Sequence, residues 1–73
     1  MITYILLVTK IGEEYEVLKE LEGVQGITEV RTGYGEFDVI VRVEHEDMRM
    51  LDTVVTKLRK IDSILRSVTL ISA

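Results

Sequence analysis

Residues 37–60, FDVIVRVEHEDMRMLDTVVTKLRK, decide the fold because their hydrophobic period changes within one short segment. Apolar and polar side chains alternate over Phe37–Glu44, which is typical of a strand with one buried face. Apolar residues then recur at steps of three and four from Met48 to about Lys60, which predicts an amphipathic helix. Asp47 directly precedes this helix and can cap it with its carboxylate. The buried stripe is predicted to comprise Met48, Leu51, Val54, Val55, Leu58 and Ile61.

The rest of the chain extends this pattern toward both ends. A second amphipathic helix is predicted over Glu13–Leu21, and Gly23 is a natural stop for it. The predicted order is βαββαβ, and two interleaved split βαβ units of this kind form an α+β ferredoxin-like fold. We expect a single domain over residues 1–73, with a four-stranded antiparallel sheet and both helices on one face. The predicted strands are Ile2–Thr9, Ile27–Thr32, Phe37–Glu44 and Ser63–Ser72, and the apolar face of the first helix comprises Tyr15, Val17, Leu18 and Leu21.

Length, charge and residue usage narrow the possible functions. A chain of 73 residues has room for one small domain. Its net charge of −4 repels phosphate backbones, so no direct binding to nucleic acid is expected. Cysteine is absent and His45 is the single histidine, so neither a metal site nor a cofactor is expected. His45 itself, between two glutamates, is predicted to be an exposed turn residue. No apolar run approaches the ~18 residues that span a bilayer, so we expect a cytoplasmic protein without membrane association.

The sheet face that the helices leave open has too many apolar residues for a solvated surface. The first strand is apolar on both faces, and Ile40 lies between polar residues on the second face of the third strand. Exposed apolar patches of several hundred Å² usually mark interfaces, whereas scattered surface aliphatics need no explanation. We therefore expect a homodimer in which two sheets meet, with Ile5, Leu7 and Ile40 at the interface.

The segment 32–38, TGYGEFD, connects the second and third strands. Turn geometry alone explains its two glycines. The peptide N–H groups of such a loop can also hold a carboxylate. Glu36 or Asp38 can accept an ammonium group, and Tyr34 and Phe37 can form the walls of a pocket. These groups together suit a zwitterion, although Asp38 can equally fix the hairpin through nearby peptide N–H groups.

The sequence Gly35-Glu36-Phe37-Asp38, followed by Val39-Ile40-Val41, resembles the hairpin signature Gly-x-Tyr-Asp of the RAM domain, the effector-binding domain of Lrp/AsnC transcriptional regulators. The resemblance covers the whole chain and includes the closing residues 67–71. Phe37 takes the place of the family tyrosine, so the ring is kept and the hydroxyl is missing. The chain begins at a strand and is similar to stand-alone modules of this family rather than to members with an N-terminal helix-turn-helix.

The resemblance implies a non-enzymatic module that binds a small effector, typically an amino acid. It also implies dimers formed through the sheet faces, rings of dimers, and ligands at the contacts between dimers. A stand-alone module of this kind can also associate with a full-length Lrp/AsnC-type regulator. The ligand-binding residues implied are Gly35, Glu36, Phe37 and Asp38, with Tyr34, Ser67 and Thr69 by position.

A small dimeric ferredoxin-like enzyme, similar to a monooxygenase or an isomerase, is the alternative from a different class. Such an enzyme needs a general base that faces a cavity, and Asp38 is the one candidate for that role. An amino-acid sensor of the ACT type is the closest structural rival, and it binds the same class of ligand.

Overall fold

The computed structural model describes residues 1–71 and confirms the βαββαβ order. The third strand begins two residues later than predicted, because Phe37 and Asp38 belong to the hairpin. The predicted strand end at Ser72 lies outside the described residues. The strands are β1 (Ile2–Thr9), β2 (Ile27–Thr32), β3 (Val39–Glu44) and β4 (Ile64–Ile71), and the helices are α1 (Glu14–Leu21) and α2 (Met48–Arg59).

The four strands form one sheet in the order β2-β3-β1-β4, and every neighbouring pair is antiparallel. Ile5 lies opposite Val41 on one side and opposite Thr69 on the other. The two central strands are therefore β1 and β3, as right-handed crossovers require. This arrangement confirms the ferredoxin-like fold.

The core lies between one face of the sheet and both helices. Side chains from β1 and β3 meet the apolar stripes of α1 and α2 there, and each is at most 3% exposed. Full burial of such side chains contributes roughly 1.5–3 kcal/mol each to the hydrophobic term. The core residues are Ile5, Leu7, Val17, Leu21, Val39, Val41, Val43, Leu51, Val54 and Leu58.

The placement of Ile5 and Leu7 at an exposed interface is wrong. Ile5 is 1% exposed and Leu7 is 0% exposed, because both point toward the helices. The register pairs them with Val41 and Val39, which also face the core. Since side chains alternate along a strand, the other set of β1 residues occupies the open face.

The helices are less fully buried at their first turns than the sequence predicts. Tyr15 of α1 is 68% exposed and Met48 of α2 is 47% exposed, so neither belongs to the core. The predicted cap of α2 is confirmed, because the carboxylate of Asp47 accepts the peptide N–H of Met50 at 2.9 Å.

His45 is buried, at 3% exposed, and not an exposed turn residue as expected. Its Nδ1 lies 3.0 Å from the carbonyl oxygen of Asp47, which can only accept, so Nδ1 carries a proton. Its Nε2 lies 2.8 Å from the hydroxyl oxygen of Thr3. The terminal ammonium of Met1 donates to the carbonyl of His45 at 2.8 Å. His45 thus ties the start of β1 to the turn between β3 and α2.

Candidate functional site

The hairpin 33–38 lies at the end of the sheet where β1 ends and β4 begins, which we call the hairpin end. The peptide N–H of Asp38 donates to the carbonyl of Leu7 at 2.8 Å. The peptide N–H of Lys10 donates to the carbonyl of Ser63 at 2.8 Å. The hairpin, the β1–α1 turn and the α2–β4 turn therefore meet at one end of the molecule.

Asp38 fixes the hairpin to the end of β1. Its Oδ2 accepts the peptide N–H of Thr9 at 2.9 Å, a contact between residues 29 positions apart. Its carbonyl accepts the peptide N–H of Gly33 at 2.9 Å, which closes the hairpin. One carboxylate oxygen is thus engaged in the fold before any ligand is considered.

The hairpin tip is open to solvent and rich in peptide N–H groups. Tyr34 is fully exposed, and Gly35 has a φ of +104°, a region that side chains disfavour. Gly33 is needed for another reason, since a Cβ there would lie 3.1 Å from the carbonyl oxygen of Phe37. Within residues 1–71, the peptide N–H groups of residues 34–36 donate to no backbone carbonyl. They can therefore donate to an anion without any loss of structure.

Phe37 is half-buried, and the guanidinium carbon of Arg66 lies 5.9 Å from its ring centroid. A cation at this distance over an aromatic face is attracted by the ring quadrupole. The contact needs no hydroxyl, so phenylalanine serves in place of the family tyrosine here. Sequence reasoning did not assign Arg66 to this site, because the contact depends on how β4 is registered against β1.

Ser67 and Thr69 lie away from the hairpin within the same chain. Ser67 is opposite Leu7 and Thr69 is opposite Ile5, so Thr69 is farther from the hairpin end. Both are exposed because β4 is an edge strand. Neither lines the cleft described next.

A cleft of about 110 Å³ separates the first turn of α1 from the hairpin. It contains two of the predicted ligand residues, Tyr34 and Asp38, while Gly35, Glu36 and Phe37 do not line it. Sequence reasoning did not assign Glu14 or Tyr15 to this site, because Tyr15 was expected on the buried face of α1 and the closeness of α1 to the hairpin depends on the tertiary structure. The lining residues are Glu14, Tyr15, Thr32, Gly33, Tyr34 and Asp38.

The open face of the sheet carries an apolar stripe that runs across β3, β1 and β4. Tyr4 is 41% exposed, Ile40 is 37% exposed and Leu70 is 51% exposed. Leu6 lies between them, because it is paired with Ile40 on one side and with Val68 on the other. This apolar stripe, formed by Tyr4, Leu6, Ile40, Val68 and Leu70, is the surface that a sheet-to-sheet contact would cover.

The arginines on the β2 and β3 side of the apolar stripe are paired within the chain. Arg42 donates to the Thr28 hydroxyl at 2.8 Å and lies 3.1 Å from the carboxylate of Glu44. Hydrogen bonding to Tyr4 and to Glu44 raises the pKa of Arg42 above its ordinary value. Arg31 forms an ion pair with Glu29 on β2. The polar half of the open face therefore carries compensated charges.

Two further classes of site find no support in the described structure. No group of three or more histidine, aspartate or glutamate side chains that could hold a metal ion occurs among residues 1–71. Neither α1 nor α2 is long and apolar enough to cross a membrane.

The ferredoxin-like sheet has an exposed apolar stripe on one face and a cleft beside the hairpin at one end. The match to a family of ligand-binding domains, rather than this geometry alone, shows a regulatory domain of the effector-binding class. Residues 4–73 match the family model of the Lrp/AsnC ligand binding domain, and the chain belongs to this family. The resemblance stated from the sequence is confirmed. Domains of this family typically oligomerise.

Solved structures of high similarity support the assignment. Hypothetical protein PHS023 from Pyrococcus horikoshii is 39% identical with a TM-score of 0.91, covering 100% of this chain and 90% of that one. FFRP-DM1 is 37% identical with a TM-score of 0.91, covering 99% of this chain and 97% of that one. E. coli AsnC is 25% identical with a TM-score of 0.87, covering 97% of this chain but 49% of that one. No curated protein matches the chain significantly.

Proposed function

We propose that this chain is a single-domain, non-enzymatic module that binds an amino acid and assembles into oligomers, in the manner of Lrp/AsnC regulators. The observation that carries the proposal is the hairpin end. There, free peptide N–H groups lie beside a cleft lined by carboxylates, in a domain of the Lrp/AsnC ligand-binding family. Donors for a carboxylate and acceptors for an ammonium are the two halves of a zwitterion site.

The proposed ligand lies against the hairpin with its carboxylate on the N–H groups of residues 34–36. Tyr34, Gly35 and Glu36 supply these groups, and the contact between Arg66 and the Phe37 ring holds the hairpin against β4. Ser67 and Thr69 of a neighbouring copy complete the pocket, because within one chain they do not reach the cleft.

The proposed dimer forms through the apolar stripe. Ile40 keeps its predicted role at the interface, and Tyr4 and Leu6 take the positions that were expected of Ile5 and Leu7. Charge compensation supports this proposal, because Arg42 and Arg31 already have carboxylate partners and would not be buried alone.

Further assembly into rings is proposed at the hairpin end. Large hydrophobic side chains are exposed there on three different segments, with Ile11 at 103%, Tyr15 at 68% and Tyr34 at 106%. Exposed apolar groups at one end of a small domain favour a contact between copies. A ligand at this end would then link two dimers.

Regulation of transcription is proposed to act through a partner that carries a DNA-binding domain. The net charge of −4 disfavours direct contact with a phosphate backbone. E. coli AsnC, of which this chain spans about half, is the kind of full-length regulator that such a module would join in the cytoplasm. Asp38 lines the cleft, as the enzyme alternative requires of its candidate base, but its Oδ2 already accepts the peptide N–H of Thr9, which favours a structural role for the carboxylate.

Calorimetric titration with each of the twenty free amino acids tests the proposed function. We expect saturable binding of at least one, and weaker binding by Gly35→Ala, in which a Cβ strains the hairpin tip. Gly23→Ala is the matched control, since Gly23 also has a positive φ but lies in the α1–β2 turn. An absence of binding across the panel would remove the effector role and leave only assembly.

A further inference from the structure

Glu14 holds a buried carboxylate oxygen that has no partner in the fold. Its Oε2 is buried and accepts no hydrogen bond within residues 1–71. No lysine or arginine forms an ion pair with it in the described part of the chain. A buried acceptor without a donor destabilises a protein, so most such atoms in native structures find a partner.

Of the three glutamates at the start of α1, Glu14 alone has a buried carboxylate oxygen without a partner. The adjacent Glu13 accepts a hydrogen bond from the hydroxyl of Ser63 at 2.9 Å. Glu16, which also lies in the first turn of α1, is exposed to solvent. A second buried acceptor without a partner, Oγ1 of Thr9, lies at the same end of the molecule, and Thr9 is 5% exposed. The end of β1 and the start of α1 therefore lack donors.

Glu14 and Asp38 both line the cleft at the hairpin end, Glu14 from the first turn of α1 and Asp38 from the hairpin. The two carboxylates are not equivalent, because Asp38 already accepts the peptide N–H of Thr9 while Oε2 of Glu14 accepts nothing. A cationic ligand that enters the cleft would therefore gain most from Glu14.

We propose that Glu14 binds the ammonium group of the amino-acid effector and that Asp38 mainly holds the hairpin in position. The inference rests on the proposed function and adds the residue that recognises the amine. An ammonium group offers three N–H donors on a compact charge, which suits a cleft lined by two carboxylates.

The cleft is partly open to solvent and has a volume of about 110 Å³, which accommodates an ammonium group and the atoms next to it. Glu14 thus selects amines as a class. The side chain of the ligand lies at the mouth of the cleft, where the neighbouring copy of the proposed assembly selects among amino acids.

The test compares Glu14→Gln with the control Glu16→Gln by calorimetry, using the panel of free L-amino acids and the 2-oxo acid that corresponds to each amino acid bound. Loss of a charge-assisted hydrogen bond should weaken amino-acid binding by about 10- to 150-fold in Glu14→Gln. Glu16→Gln should bind like the parent, and the 2-oxo acids should bind neither protein. Ligand-free Glu14→Gln should melt no lower than the parent, because the carboxylate has no partner to lose.

Each other outcome has a distinct meaning. Amino-acid binding that is unchanged in Glu14→Gln overturns this inference and leaves the proposed function intact. A lower melting temperature of ligand-free Glu14→Gln, or loss of higher oligomers without ligand, overturns it by assigning the carboxylate to the fold or to a contact between copies. Failure of the parent to bind any amino acid contradicts the proposed function, and the inference falls with it.

Discussion

Replacement of Asp38 by alanine should destabilise the domain, whether or not a ligand is present. The change removes the bond between its Oδ2 and the peptide N–H of Thr9, which is 2.9 Å long. Hydrogen bonds to charged groups contribute ~1.5–3 kcal/mol to the free energy of unfolding. In a domain of this size 1 kcal/mol shifts the melting temperature by ~4–8 °C, so we expect a decrease of roughly 6–24 °C. Asp38→Asn keeps an oxygen acceptor without the charge and should lose about half as much.

Thermal unfolding followed by circular dichroism measures this effect, with every variant at the same protein concentration because oligomers melt at a concentration-dependent temperature. Glu36→Ala is the control, since Glu36 is an exposed residue of the same hairpin. A decrease in Asp38→Ala no larger than that of Glu36→Ala would refute the reasoning. The carboxylate would then contribute nothing to the fold, and its role would have to be sought in ligand binding.

Further predictions follow from burial and capping. Leu6→Glu should leave the fold intact but dissociate the proposed oligomer, as measured by light scattering. Leu7→Glu should unfold the monomer, as measured by circular dichroism. Equal behaviour of the two variants would contradict the assignment of the two faces of β1. His45→Ala should lower the free energy of unfolding by ~1–3 kcal/mol in urea titration, because buried partners lose their hydrogen bonds. Asp47→Ala should lower the free energy of unfolding by ~1 kcal/mol through loss of the α2 cap. Gly35→Ala should lower it by ~1–2 kcal/mol through strain at its positive φ. An unchanged denaturation midpoint in either variant would contradict the corresponding account.

The fold was predictable from the sequence because each element has a clear period and a clear end. The alternation of Val39, Val41 and Val43 identifies one face of β3 without ambiguity. Asp47 marks the start of α2, and the structure has the capping bond that this residue type predicts. Local signals of this kind are sufficient for element order, and the crossover rule then determines the sheet.

The faces of β1 were not predictable in the same way. Residues 2–8 are apolar at nearly every position, so alternation does not distinguish the core set from the exposed set. Only the register against β3, which pairs Ile5 with Val41, shows which side faces the helices. A hydrophobic pattern alone would have assigned either set to the interface.

The candidate site was predictable in its position but not in its connections. The hairpin composition indicated a polar loop with ligand-binding groups. The contacts that give each residue its role join distant parts of the chain, as Asp38 joins Thr9 and Arg66 joins Phe37. His45 shows the same limit, since its burial depends on Thr3, 42 positions away. Sequence spacing carries no information about such pairs.

The hydrogen bonds between Met1 and His45 have a practical consequence for fusion proteins. The amine of Met1 donates to the carbonyl of His45, and the carbonyl of Met1 accepts the peptide N–H of His45 at 3.0 Å. A reporter or affinity tag joined upstream of Met1 would convert the ammonium into a neutral amide and weaken the first bond. The added segment would leave the domain at the far end of β1, ~25 Å from the hairpin. Amino-terminal labels should therefore leave the ligand cleft accessible, and the hairpin is the place to avoid for insertions.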